Sequence, residues 1–176
     1  QAYTFGLDGW SFLDDDETYV VTGSVIGSYT SGTENYLLRL QKQPYRYMQR
    51  PDKTYMLLDS SLTSIGGYFS RVMINKQKGN FYLNAALGLI SPGFEYNDLG
   101  SQWMADRING HLVTGYRWYE PDDIFRNKSV YIAYNRTSDF EDNISRSGFY
   151  LSSNFQFVNY WGLNFNSSYN FKSVST

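Results

Sequence analysis

Few side chains in this sequence are placed for chemistry, and each has a bland reading beside the sharp one. His111 is the one histidine. Asp98 and Asp106 precede it, but no serine or carboxylate stands at a spacing that would fix a general base, so the residues do not point to an enzyme. Arg39, Arg71 and Arg117 fall, with His111, on the polar parity of alternating segments. A ring of such cations biases a pore towards anions; an internal network of ion pairs with neighbouring carboxylates is an equal alternative. Asp14, Asp15, Asp16 and Glu17 are four successive carboxylates. Calcium requires several oxygens converging on one ion, and this run lacks EF-hand spacing, so a solvated turn is the simpler reading and calcium a weak candidate. The loop Ser91-Pro92-Gly93-Phe94-Glu95-Tyr96-Asn97-Asp98-Leu99-Gly100 offers more. Pro92 and Gly93 set a turn, and Asn97 and Asp98 can bond the local backbone. It reads either as an ordered loop folded over its neighbours or as a ligand or partner contact through Phe94, Glu95, Tyr96, Asn97 and Asp98.

The elements that must carry these residues are strands. Between Phe149 and Phe171, Phe149, Leu151, Phe155 and Phe157 alternate with Tyr150, Ser152, Asn154 and Gln156. After a reversal at Val158-Asn159-Tyr160, Trp161, Leu163, Phe165, Tyr169 and Phe171 alternate with Gly162, Asn164, Asn166, Ser168 and Asn170. Period two puts these sets on opposite faces of a hairpin, one apolar and one polar. The pattern recurs over 3–13, 18–30, 35–49, 55–75, 81–90, 108–118 and 129–135, giving about nine strands and no helical periodicity. Connections counted from the first alternate in kind. Ser31 to Thr33, Lys76 to Asn80, Glu120 to Asp123 and Val158 to Tyr160 are compact; Asp14 to Glu17, Arg50 to Lys53, Ser91 to Gln102 and Thr137 to Ser145 are longer or acidic.

Composition narrows the class. The chain of 176 residues fits one domain, 1–176, or a piece of a larger one. Aromatic residues make up 19%, which suits pleated strands. A net charge of -2 gives no polybasic face for nucleic acid. Cysteine is absent, excluding disulfides and thiolate metal sites. No cofactor is implied, and no apolar run is long enough for a membrane helix.

The expected fold is all-β, an antiparallel up-and-down transmembrane β-barrel that is part of a larger barrel. The strands meet the 9–11 residues needed to cross a bilayer on a tilt. The apolar parity carries Tyr19 and Tyr29, Tyr116 and Trp118, and Trp161 and Tyr169 near strand ends, where interfacial girdles lie. The opposite parity suits a watery lumen. A soluble barrel would turn that Asn/Ser/Thr wall to water, where Lys and Glu are normally commoner; here charged residues are only 18% and cluster in loops.

The order of several motifs resembles one family. Gln49-Arg50-Pro51-Asp52 precedes Ser64-Ile65-Gly66-Gly67 and Lys78-Gly79; the loop from Ser91 to Gly100 is followed by Asp106-Arg107. Tyr116-Arg117, Pro121 with Ile124-Phe125-Arg126-Asn127, and Phe157-Val158-Asn159-Tyr160-Trp161 come next. Over Arg50 to Trp161 the chain resembles Bacteroidota outer-membrane proteins with an amino-terminal domain similar to family 9 carbohydrate-binding modules and a carboxy-terminal barrel domain of unknown function. The resemblance implies a middle-to-late section of a barrel in the Gram-negative outer membrane, without the binding module. The implied partners are outer-membrane lipid, a glycan or other small solute, and other outer-membrane proteins. Three functions stand as expectations: passage or capture of nutrients, glycans among them; an anchor or scaffold subunit with a plugged lumen; or a soluble secreted β-barrel that binds an apolar ligand.

Overall fold

The computed structural model describes residues 1–46, 48, 50, 53–97, 99–171 and 173. Eight strands form one antiparallel sheet in strict chain order: β1 Ala2–Phe12, β2 Tyr19–Ser31, β3 Ser64–Lys76, β4 Phe81–Ile90, β5 Arg107–Trp118, β6 Phe125–Ser138, β7 Ile144–Phe157 and β8 Gly162–Asn170. The sheet is open, with β1 and β8 each paired on one side only. The all-β, up-and-down expectation therefore stands, with eight strands rather than about nine.

The difference lies in 35–49, expected as a strand, where α1 runs Glu34–Gln41. Thr33 is its N-cap and accepts a hydrogen bond from the Tyr36 amide at 3.3 Å. Glu34 in the first turn and Arg39 in the last complement the helix dipole. Leu37, Leu40 and Gln41, at i, i+3 and i+4, are the buried stripe. Leu37 and Leu40 cluster with Met48, Met56 and Ile65, with Leu62 packed against them. Gln41 fastens the helix to its loop: its Nε2 donates to the Asp59 carbonyl at 2.8 Å and its Oε1 accepts from the Asp59 amide at 2.9 Å. The segment 55–63, expected to open the next strand, belongs to this loop, and β3 begins at Ser64.

Removing that strand regroups the connections. Those at 13–18, 77–80, 119–124 and 158–161 now share one end of the sheet, and those at 32–63, 91–106 and 139–143 share the other. The acidic run Asp14 to Glu17, expected among the long loops, sits at the short-turn end, where Lys78 Nζ donates to the Asp16 carbonyl.

The cross-strand register sorts the faces. Ile74, Ala85, Leu112, Tyr134, Phe149 and Tyr169 lie opposite one another in one row across six strands. Leu7, Val25, Ser70, Leu89 and Ile108 form another row on the same face. Many large apolar side chains of this face are exposed, from Phe5 at 72% to Leu112 at 46%. The loop at 91–106 folds onto the other, polar face: the Glu95 amide donates to Ser28 Oγ at 2.8 Å, and Phe94 stacks near Phe69 with ring centroids 6.2 Å apart.

Candidate functional site

The loop after β4 is held close to the polar face by missing side chains. A Cβ on Gly67 would lie 2.0 Å from the Phe94 amide nitrogen, and one on Gly93 would lie 2.1 Å from the Gly66 carbonyl oxygen. The two backbones touch because both positions are glycine, the use of glycine where chains must approach closely. The Ser91 hydroxyl accepts from the Tyr68 amide at 2.7 Å, and the Ser91 amide donates to the Tyr68 carbonyl at 2.9 Å, continuing the β3 ladder into the loop.

Of the residues expected to meet a ligand here, Phe94 is 2% exposed and packs between Phe69 and Tyr96. Glu95 is buried and already partnered. Its Oε2 accepts from Tyr45 Oη at 2.6 Å and from Arg46 Nη2 at 2.9 Å, and its Oε1 accepts from the Asn97 amide at 3.0 Å. Asn97 Oδ1 accepts from the Gln102 amide at 2.7 Å, and Tyr96 Oη donates to the Ser101 carbonyl at 3.0 Å. These four side chains thus order the loop; Asp98 lies outside the described residues. Burial, and then the hydrogen bond to Glu95, push the Tyr45 hydroxyl up to about 12, so it stays protonated as a donor. Burial lowers the Arg46 pKa and Glu95 opposes this; arginine remains charged.

A second cluster ties three loops together. Lys53, from the loop before β3, is 3% exposed. Its Nζ donates to Asp106 before β5, to Asp139 after β6 at 2.6 Å, and to Tyr55 Oη at 3.2 Å. Tyr55 Oη donates to Asp106 as well. Asp139 also accepts from the Asn143 amide and side chain and from the Glu141 amide, each at 2.9 Å. Burial raises the Asp139 pKa, but the Lys53 and Asn143 hydrogen bonds outweigh it and hold the carboxyl at about 2. Sequence reasoning missed Arg46, Lys53 and Asp139. Their ion-pair partners lie 49 to 86 residues away, and no local pattern signals such a contact.

The cations expected to line a lumen separate. Arg39 is exposed on α1 and belongs to no strand. Arg71, His111 and Arg117 do share the polar face of β3 and β5. His111 Nε2 meets Asn84 Oδ1 at 2.6 Å. Arg117 lies over Tyr82 and Tyr131, at 5.4 and 5.2 Å from the ring centroids. These two tyrosines, themselves edge to face at 5.4 Å, hold a guanidinium from the polar side.

The expected interfacial aromatics fall into two groups. Tyr19, Tyr116, Trp118 and Trp161 stand at the short-turn end, with Trp161 in the turn just before β8. Tyr29 and Tyr169 stand at the long-loop end. The Tyr116 and Trp118 rings lie 4.6 Å apart, and Phe171 extends the other group, 5.3 Å from Tyr169 and 5.8 Å from Phe149 between ring centroids.

Asp14, Asp15, Asp16 and Glu17 make a tight turn. Asp14 Oδ1 accepts from the Tyr19 amide at 2.8 Å, Glu17 takes a left-handed φ of 54°, and its amide donates to the Asp14 carbonyl at 3.1 Å. The turn hydrogen bond to Tyr19 lowers the Asp14 pKa. Among the described residues, no three acidic or histidine side chains are grouped to hold a metal ion.

No curated protein and no solved structure matches the chain significantly. A family described as a domain of unknown function (DUF5916) matches it over residues 13–175. By that match across nearly its whole length, the chain belongs to the DUF5916 family.

Proposed function

We propose that this chain is a section of a β-barrel in the Gram-negative outer membrane, with the polar face of its sheet towards the lumen, and that it works in passage or capture of nutrients. One observation carries the reading: an exposed apolar face, aliphatic in the middle and aromatic at both ends, runs across all eight strands, while the two longest loops, 32–63 and 91–106, pack on residues of the other face. Strands of 9 to 14 residues match a tilted bilayer crossing. The two longest connections, 32–63 and 91–106, share one end of the sheet, as the long extracellular loops of such barrels do, while the other end carries only connections of four to six residues. In lipid the free edges of β1 and β8 must be paired, with each other or with strands outside 1–176, because unpaired backbone groups there are costly. The Bacteroidota source and the link to a family 9-like carbohydrate-binding module rest on sequence resemblance, and with them the choice of glycans as solutes.

The seating of Phe94 and Glu95 on the polar face favours a second reading, an anchor or scaffold subunit whose lumen the loops plug. Conductance of the purified full-length protein in planar bilayers separates the two, since a plugged barrel passes no current. The membrane reading has its own test in Leu112→Arg. At a site 46% exposed this change is nearly neutral if the face meets water, and it costs roughly 2–4 kcal/mol if it meets acyl chains. Urea unfolding from liposomes measures it. A monodisperse protein without detergent, with Leu112→Arg neutral, would overturn the reading.

A further inference from the structure

At the long-loop end lies a cavity of about 800 Å³, lined in part by Arg46, Trp103, Arg107, Asp139 and Arg146. The two acids of its lining, Asp106 and Asp139, both bond Lys53, with Tyr55 and Asn143 supplying further donors; Glu95, outside the lining, pairs with Arg46 and Tyr45. Arg107 opens β5, and Arg146 stands near the start of β7. Neither side chain has a hydrogen bond or ion pair among the described residues, and their like charges repel one another across the cavity. The Arg46 Nε and Nη1 atoms are buried and carry no hydrogen bond. Trp103 is 84% exposed on the cavity wall and stacks on no other ring among the described residues.

Unneutralised guanidinium groups around a concave space call for an anion, and guanidinium forks match carboxylate and phosphate oxygens geometrically. A bare indole beside them offers an apolar plane to the rest of the ligand. We propose that this cavity binds a small solute bearing a carboxylate or phosphate, with Arg107 and Arg146 holding the oxyanion and Trp103 covering an adjoining ring. The site stands on the loop end and does not depend on what covers the apolar face.

The test is titration calorimetry on the purified full-length protein with inorganic phosphate, glucuronate and, as the neutral control, glucose. Both anions are expected to bind, glucuronate more tightly, and glucose not at all. Raising the sodium chloride concentration should weaken both. Arg107→Gln combined with Arg146→Gln should lose at least about tenfold in affinity for both anions, from the hydrogen bonds to charged groups that it removes. Trp103→Ala should weaken glucuronate while sparing phosphate. Arg136→Gln, whose guanidinium pairs with Asp142 and does not line the cavity, should bind as the parent does. Strand content by circular dichroism confirms that each variant is folded. Absence of binding by both anions, equal binding of glucose, or full affinity in the double arginine variant would overturn the proposal. Conductance and detergent dependence are read separately, so failure here leaves the membrane reading intact.

Discussion

Replacing Lys53 by Met removes the ammonium that joins three loops and leaves a chain of similar length in its place. Lys53 Nζ bonds two carboxylates whose side chains are themselves buried, so the loss includes the cost of stranding Asp106 and Asp139. Two hydrogen bonds to charged groups are worth about 1.5–3 kcal/mol each. Part of that is retained: Asp139 keeps its Asn143 and Glu141 donors, and Asp106 keeps Tyr55 and the Phe140 amide. The expected net loss is about 3–4 kcal/mol, within the range for breaking a buried ion pair from one side. It falls on the loop cap rather than on the sheet. Native-state hydrogen exchange at the amides of Thr54, Asp139, Phe140, Glu141 and Asp142, all bonded within this cap, should accelerate by two orders of magnitude or more, while the strands keep their protection. Adding Asp106→Asn and Asp139→Asn to Lys53→Met removes the stranded charges and should recover over half of the loss. Acceleration below about fivefold in the single variant, close to 1 kcal/mol, would show that water already solvates these charges and that Lys53 latches nothing.

Three further outcomes follow from the same geometry. Asp139 has a folded pKa of about 2, below its unfolded value, so its contribution is present above about pH 4 and is lost as pH falls through 2; proteolysis by pepsin should cut 139–143 increasingly across that window. Gly67→Ala puts a methyl where the Phe94 amide stands, so the loop after β4 must lift from the polar face at a cost of about 1–3 kcal/mol or more; a rise in bilayer conductance or in protease access at 91–97 would report it, and unchanged behaviour would refute the close contact. Thr33→Ala removes the α1 cap and should cost about 1 kcal/mol, read as faster exchange of the Tyr36 amide with the strands unaffected.

How far the sequence could be read depended on the range of the interactions involved. Strand alternation is set by the two-residue repeat of the pleat, so 81–90, 108–118 and 162–170 could be placed from residue types alone, together with the face each residue occupies. The segment 34–41 fits two templates. Tyr36, Leu38 and Leu40 alternate as a strand would, while Thr33, Glu34 and Leu37 with Leu40 and Gln41 fit a capped helix, and burial against Met48, Met56 and Ile65 decides in favour of the helix. That one decision carried Arg39 off the sheet and moved the acidic turn to the other end, because removing a strand shifts every later connection.

By itself, then, the sequence determined an antiparallel sheet with one apolar and one polar face, aromatics near the strand ends, and a turn at Pro92 and Gly93. Tertiary structure decided which side the loops take and which charges meet. Lys53 finds Asp139 across 86 residues, and Arg46 finds Glu95 across 49. Arg107 and Arg146 are left facing one cavity. A side chain's local pattern records the face it occupies, whereas an ion pair depends on how two distant loops close over the same end of the sheet.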